Sequence, residues 1–530
     1  MEAMIKKVLP AEEAVKLVKS GDTVAVGGFV GSGHPEELTL HLEKNFLERG
    51  NPQDLTLVFG AGQGDFADRG LNHLGHESLV KRAIGGHWGL VPTLGELSNQ
   101  NKIEAYNFPQ GCISQLYRDI AAGRPGTITH VGLHTFVDPR ISGGKLNSST
   151  TEDLVELLCL DGREWLFYKA FPINVALIRG TTADKHGNIT MEKEIASLET
   201  LAMAQAAKNS GGLVIAQVER LVDGFHSDPW LVRLPGIFVD AVVVAELENH
   251  CQVFGADYNP AYCGEGHADE ISLLAPMELD ERKVVCRRAA MEIGHQALVN
   301  LGIGMPVGIA QVAQEEGIRD RMMLTVESGA IGGIPSSGLS FGAAVNPEAM
   351  IDQPYMFDFY DGGGLDIAFL GLAEADCHGN INVSKFASRI TGAGGFINIS
   401  QNTKRVVFCG SFTTGGLKVE VADGYIRILK EGIHRKFVRE VQHLTFNGSF
   451  AGKQGHKVLL VTERAVFEMG TDGFLLTEIA PGMDLRHDIL DQMDFIPCIS
   501  PDLKLMDDHL FRREVMGLSL KVPQEFSLKV

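Results

Sequence analysis

The chain has no apolar run long enough to cross a bilayer, which takes about 20 residues; even the stretch from Ile237 to Leu247 is broken by Asp240 and Glu246. Membrane association is therefore not expected. Residues 1–19 mix Lys, Glu and apolar side chains in a helical rhythm, without an uninterrupted apolar core or a small-residue cleavage site, and are not read as a signal peptide. Cysteine pairs are missing too: the eight cysteines are scattered with no C-x-x-C spacing, so neither a disulfide framework nor a zinc knuckle is expected, and a reducing, cytoplasmic setting fits. Positive charge is scarce, with 47 Lys and Arg against 67 Asp and Glu and a net charge of −20. That disfavours a general nucleic-acid binder, which neutralises phosphates with a basic surface. A polyanionic ligand would need a local cationic pocket or backbone amides.

Several catalytic signatures are also absent. No Gly-rich loop has the full dinucleotide fingerprint, no Walker Gly-Lys-Ser/Thr occurs, and there is no G-x-S-x-G elbow. His73 and His76 have helical spacing but no further liganding cluster, so no metal site is expected.

What the chain does have is glycine, 61 residues of it, against only 7% aromatics, a balance that favours tight turns and close backbone approaches over a large aromatic core. Short apolar runs alternate with longer amphipathic stretches. Strands are predicted at 23–26, 55–59, 176–179, 213–218, 299–301, 324–326, 367–370 and 405–409, with more at 425–429 and 457–462; helices are predicted at 36–48 and 196–209. Strands buried on both faces and separated by helices imply a mostly parallel sheet.

Ala183-Asp184-Lys185-His186-Gly187-Asn188-Ile189 recurs as Ala375-Asp376-Cys377-His378-Gly379-Asn380-Ile381, each time after an apolar strand and in the same order of surrounding features. The chain therefore reads as two homologous open α/β domains with mostly parallel sheets, residues 1–270 and 280–530. The punctuated stretch from Gly255 to Asp280 joins them. The histidines of the repeat are read as structural hydrogen-bonding groups. Arg282, Lys283, Arg287 and Arg288 make the helix that follows locally basic, a solvated or inter-half face.

Glu327 stands out: it directly follows the apolar run Leu324-Thr325-Val326 and precedes Ser328-Gly329-Ala330-Ile331-Gly332-Gly333. A carboxylate at a strand end on a Gly-rich turn, partly desolvated, can attack a thioester or phosphate and form a covalent intermediate. The alternative is a glutamate that caps the turn.

Around Glu327 the chain resembles the class I coenzyme A transferases, in particular the fused-subunit propionate and acetate CoA-transferases. The first half carries this in Gly27-Gly28-Phe29-Val30-Gly31-Ser32-Gly33-His34-Pro35, Gly85-Gly86-His87-Trp88 and Tyr106-Asn107-Phe108-Pro109-Gln110-Gly111. The second half carries it in Val299-Asn300-Leu301-Gly302-Ile303-Gly304-Met305-Pro306, Thr325-Val326-Glu327-Ser328-Gly329, Phe357-Asp358-Phe359-Tyr360-Asp361-Gly362-Gly363-Gly364 and Gly392-Ala393-Gly394-Gly395. The resemblance implies the CoA-transferase fold and a ping-pong transfer of CoA between an acyl-CoA and a free carboxylate, through a glutamyl-CoA thioester at Glu327. It assigns Gly394 and Gly395 to oxyanion stabilisation, Gln110, Gly31 and Gly33 to the substrate, and Asn300, Gly302, Gly304, Gly363 and Gly364 to CoA. Coenzyme A is a substrate in this reading, with no permanently bound cofactor, and the assembly is a homotetramer or homodimer. Pro35-Glu36-Glu37 puts a carboxylate where the 3-oxoacid branch has Asn, which points to short unbranched monocarboxylates rather than succinyl-CoA or acetoacetate. An acyl-CoA hydrolase using the same glutamate and a silent acyl-CoA-binding protein are the competing readings.

Overall fold

The computed structural model describes residues 7–224, 228–269, 275–470 and 473–520. Residues 1–6 of the N-terminal helical reading and 270–274 of the predicted junction lie outside the described residues. The chain forms two compact units: Met1–Ala268 with Val326–Asp358 and Ala387–Asn398, and Asp269–Thr325 with Phe359–Phe386 and Ile399–Val530. The units do not coincide with the two sequence halves, because two segments of the second half, one of them carrying Glu327, belong to the first unit.

The first unit is built on a seven-stranded sheet in the order Ala241–Val244, Leu213–Val218, Val175–Arg179, Thr23–Val26, Leu55–Phe59, Val80–Gly85 and Glu104–Asn107, parallel throughout. Its middle strands are buried and apolar; the helix Glu36–Arg49 connects Thr23–Val26 to Leu55–Phe59, Thr200–Asn209 precedes Leu213–Val218, and Gln110–Ala121 follows the edge strand Glu104–Asn107. In the second unit the parallel strands run Met322–Thr325, Ala297–Leu301, Ile367–Gly371, Arg405–Cys409 and Lys457–Val461, continued by Ala465–Gly470 and Gly473–Ile479 in antiparallel pairing. In each unit the first strand in sequence lies between the second and the strand that precedes the repeated motif, and two more parallel strands follow outward. That shared connectivity accompanies the sequence repeat.

The repeat itself is an Asx turn. Asp184 accepts the His186 and Asn188 N–H groups at 2.8 and 2.9 Å, and Asn188 accepts the Gly236 N–H. Asp376 does the same with His378 and Asn380, and Asn380 accepts the Gly448 N–H. The Asp and Asn side chains thus tie a tight turn to a second loop in both units.

Two expectations are corrected. The basic helix, Glu281–Ala290, is not a solvated face: Lys283, Arg287 and Arg288 are buried in the second unit. Lys283 pairs with Glu315, Arg288 with Glu478 and Glu292, and Arg287 donates to the carbonyls of His509, Leu510, Arg512 and Glu514. Charges taken out of water need such partners. The helix predicted from Ala196 begins only at Thr200, because Leu198 adopts a left-handed conformation with φ of 52°. Among the described residues no helix is long and apolar enough to cross a membrane.

Candidate active site

The strand Met322–Thr325 ends in a tight turn that holds Glu327. Val326 N–H donates to the Ala330 carbonyl, Gly329 N–H donates to Val326, and the Ser328 hydroxyl donates to the Gly342 carbonyl at 2.6 Å. Gly329 is required, since its φ is 123° and a β-carbon there would lie 1.9 Å from the Ile351 carbonyl oxygen. The Glu327 side chain is 8% exposed, and its Oε2 has no hydrogen-bond partner among the described residues. Burial pushes the carboxyl up to about 7. A backbone hydrogen bond at Glu327 itself opposes that rise and is outweighed by burial. Glu327 thus carries a desolvated carboxyl group with one oxygen left without a partner among the described residues.

Gly395 passes directly over it: a β-carbon on Gly395 would stand 3.2 Å from Glu327 Cγ and 3.3 Å from the Phe357 ring. Its N–H has no partner among the described residues. The neighbouring Gly394 N–H, in contrast, donates to the Gly86 carbonyl at 2.8 Å. Of the two glycines assigned to oxyanion stabilisation, Gly395 has the available donor, while Gly394 fixes the loop.

The loop is clamped along its length. Trp88 and Gly89 N–H groups donate to the Thr391 carbonyl, and the Gln110 N–H donates to the Gly394 carbonyl. The fully buried Asn107 amide spans the clamp, accepting the Ala393 N–H at 2.9 Å and donating to the carbonyls of Gly85 and Gly86 at 2.8 and 2.5 Å. His87 fills the space beside Gly62 and Gly394. Burial, aided by the Arg389 charge, holds its imidazole down at about 4, so it is neutral at pH 7.

Gln110 opens the helix Gln110–Ala121 and is buried next to Gly394; a β-carbon on Gly394 would lie 3.8 Å from its Oε1. Its Nε2 donates to Gln353 Oε1 at 3.3 Å, and Gln353 in turn donates to the Ser114 hydroxyl at 2.8 Å. The structure thus brings together four of the predicted residues: Glu327, Gly394, Gly395 and Gln110. Gly31 and Gly33 lie in the loop after Thr23–Val26, where the Phe254 ring and the Leu198 side chain fill the space a β-carbon would take. Their backbone alone is open to a ligand role.

In the second unit Asn300 is the penultimate residue of the strand Ala297–Leu301, opposite Thr325. Its Nδ2 donates to the Thr325 carbonyl at 3.3 Å, and its buried Oδ1 has no partner among the described residues. Gly302 N–H is used by the Phe369 carbonyl, whereas Gly304 is exposed with open space above it. Gly363 and Gly364 are elsewhere. Their N–H groups return to the carbonyls of Tyr360 and Phe359 and close the helix Gln353–Asp361, ahead of the strand Ile367–Gly371. Because that strand is parallel to Ala297–Leu301, they lie at the sheet edge opposite to Gly302 and Gly304. They form a helix terminus and are not part of the Asn300 loop.

His73 and His76 are held by carboxylates: His73 contacts Glu43 and Glu36 at 2.6 and 3.0 Å, and His76 contacts Glu43 at 2.7 Å. Asn107, Gln353 and Glu199 were not assigned roles from the sequence. Asn107 stands in a quoted motif, which is its only signal.

A coenzyme A transferase family model matches residues 8–245. The chain is 49% identical over 518 residues to the caffeate CoA-transferase of Acetobacterium woodii, covering 97% of this chain and 98% of that protein. It is 47% identical to the acetate CoA-transferase YdiF of Escherichia coli strain K12, covering 97% and 96%. The crystal structure of the acyl-CoA transferase YdiF of E. coli O157:H7 as a thioester complex with CoA superposes with a TM-score of 0.92 at 45% identity, covering 98% of both chains.

Proposed function

The chain belongs to the coenzyme A transferase family, and from that premise we propose that Glu327 is the nucleophile with which it moves CoA from an acyl-CoA to a free carboxylate. The observation that carries this assignment is the buried Glu327 carboxyl, its Oε2 without a partner among the described residues, packed against Gly395, whose N–H is also unused there.

A glutamate oxygen attacks the thioester carbonyl carbon, the carbon–sulfur bond breaks and the CoA thiolate leaves, giving an acyl-glutamyl anhydride. The thiolate then attacks the glutamyl Cδ, the anhydride C–O bond breaks and the first carboxylate departs, leaving a glutamyl-CoA thioester. An acceptor carboxylate runs the two steps in reverse. No proton is gained or lost overall. A carboxylate is a weak nucleophile when hydrated, so removing its hydrogen-bond partners raises its reactivity at the expense of its acidity. The oxyanion of each tetrahedral intermediate needs a fixed donor, and such a donor contributes about 10²–10³ in rate. In this reading the unused Gly395 N–H supplies that donor, supported by the contact of Gly395 with Glu327, with Gln110 beside the acyl group and Gly31 and Gly33 on the substrate loop. Asn300, Gly302 and Gly304 receive the CoA arm, where binding remote from the reacting atoms helps drive the chemistry.

Donor and acceptor in this reading are short unbranched monocarboxylates such as acetate and propionate. The reading also takes the enzyme to be cytoplasmic and a homo-oligomer, a tetramer or dimer. Initial rates with propionyl-CoA and a panel of carboxylates test the substrate class: exchange with acetate, and none with succinate or acetoacetate, is the expected pattern. The reverse preference overturns it.

A further inference from the structure

Glu199 is a second carboxyl group in the first unit whose surroundings the mechanism leaves unexplained. It is 1% exposed, and neither of its oxygens has a hydrogen-bond partner among the described residues. It stands at the N-terminus of the helix Thr200–Asn209, where a glutamate normally accepts from the first-turn N–H groups, yet it makes no side-chain cap. Its carboxyl points instead toward Gly60, at the end of the strand Leu55–Phe59. A β-carbon on Gly60 would lie 3.2 Å from Glu199 Oε1, 3.6 Å from Gln353 Nε2 and 3.7 Å from Gln110 Cγ. The missing side chain at Gly60 thus leaves a gap no larger than a methyl group, bounded by the Glu199 carboxyl, the Gln353 amide and the Gln110 Cγ, the last from the residue that flanks Gly394.

A buried polar group without a partner is costly, more so if charged, and calls for an explanation such as a bound ligand or a catalytic role. The space lies at the carboxyl end of parallel strands, where open α/β sheets bind small molecules. We propose that Glu199 is a further substrate-contacting residue, whose carboxyl group hydrogen-bonds the carboxylate of the free acid in the space over Gly60, beside Gln110.

This inference rests on the CoA-transferase reading of the site. Two carboxylates repel, so Glu199 must hold the proton, and burial pushes its carboxyl up to about 7. The titratable group that faces it is Tyr117 on the helix Gln110–Ala121, whose phenol burial raises well above its ordinary value, so it stays neutral through the working range. Gln110 and Gln353 carry no charge. Burial pushes both carboxyl groups up to about 7, and the proposal gives them different roles: Glu327 reacts ionised and Glu199 receives the acid neutral.

The test uses full-length enzyme with propionyl-CoA as donor and acetate as acceptor, comparing wild type with Glu199→Gln, Glu199→Ala and Gly60→Ala between pH 6 and pH 8.5. In the wild type the KM for acetate rises with pH as Glu199 ionises. Glu199→Gln, which keeps an N–H donor without a proton to lose, holds that KM within about threefold of the wild-type value at pH 6 and abolishes its rise with pH. Glu199→Ala raises the KM for acetate by about 10–100-fold, the size of one charge-assisted hydrogen bond, with less than about threefold change in the KM for propionyl-CoA. Gly60→Ala, which puts a methyl group into the space, also raises the KM for acetate; it decides the matter if Glu199→Ala fails to fold. The inference is overturned if the variants keep the wild-type KM for acetate at every pH, or if both KM values rise together. A wild-type enzyme that transfers no CoA would instead overturn the underlying reading.

Discussion

Gly395 leaves only 3.2 Å between the position of its absent β-carbon and Cγ of Glu327, so the two residues occupy one steric unit. The Gly395→Ala variant should therefore displace the carboxylate or tilt the free N–H above it. The expected result is a loss of kcat of about 10–100-fold, with substrate KM values changed less than about threefold and the melting temperature close to that of wild type. A variant with wild-type kcat would show that this contact does not position the reaction.

The Asn107 amide acts one step further out, because it holds Ala393 and the Gly85 and Gly86 carbonyls rather than anything that reacts. Asn107→Ala removes three buried hydrogen bonds and is expected to cost about 2–4 kcal/mol of stability and about tenfold or more in kcat. Asn107→Asp keeps the acceptor for Ala393 N–H but sets a carboxylate against two carbonyls, so it should not rescue. Denaturant melts and a split of kcat from KM distinguish this positioning role from loss of fold alone.

Much of this arrangement was legible in the sequence. The strands 23–26, 55–59, 213–218 and 405–409 lie where the apolar runs placed them, because strands covered on both faces have no freedom to alternate. Glu327 could be found because its carboxylate interrupts an apolar strand end before glycines. Glu199 could not. A glutamate before an Ala-rich helix reads as a dipole partner, and only the left-handed Leu198 and the space over Gly60 reveal another orientation. The buried charges of Lys283, Arg287 and Arg288 were misread for a related reason: their partners, Glu315, Glu478 and the 509–514 carbonyls, are distant in sequence.

Burial sets the pH dependence. With Glu327 near 7, thioester formation from propionyl-CoA should rise with pH through about 7 and level off above it, since only the ionised form attacks. Rapid-quench single turnovers read this limb. A flat profile from pH 5.5 to 8.5 contradicts it.

The same shift makes the active site a liability at high pH. A carboxyl whose folded pKa exceeds its unfolded value near 4.5 contributes stability that is fully present below the unfolded value and is lost as pH rises through about 7. Glu327→Gln and Glu199→Gln should each melt a few degrees above wild type at pH 8, with the difference vanishing near pH 4.5. A pH-independent difference would show that ionisation is not its source.

The most direct test of the central assignment is intact-mass and peptide analysis of the enzyme incubated with propionyl-CoA and no acceptor acid. A borohydride-sensitive CoA adduct on the peptide containing Glu327, absent in Glu327→Gln, is the predicted result. An unmodified Glu327 in enzyme that still exchanges CoA, or an adduct on another residue, would contradict it.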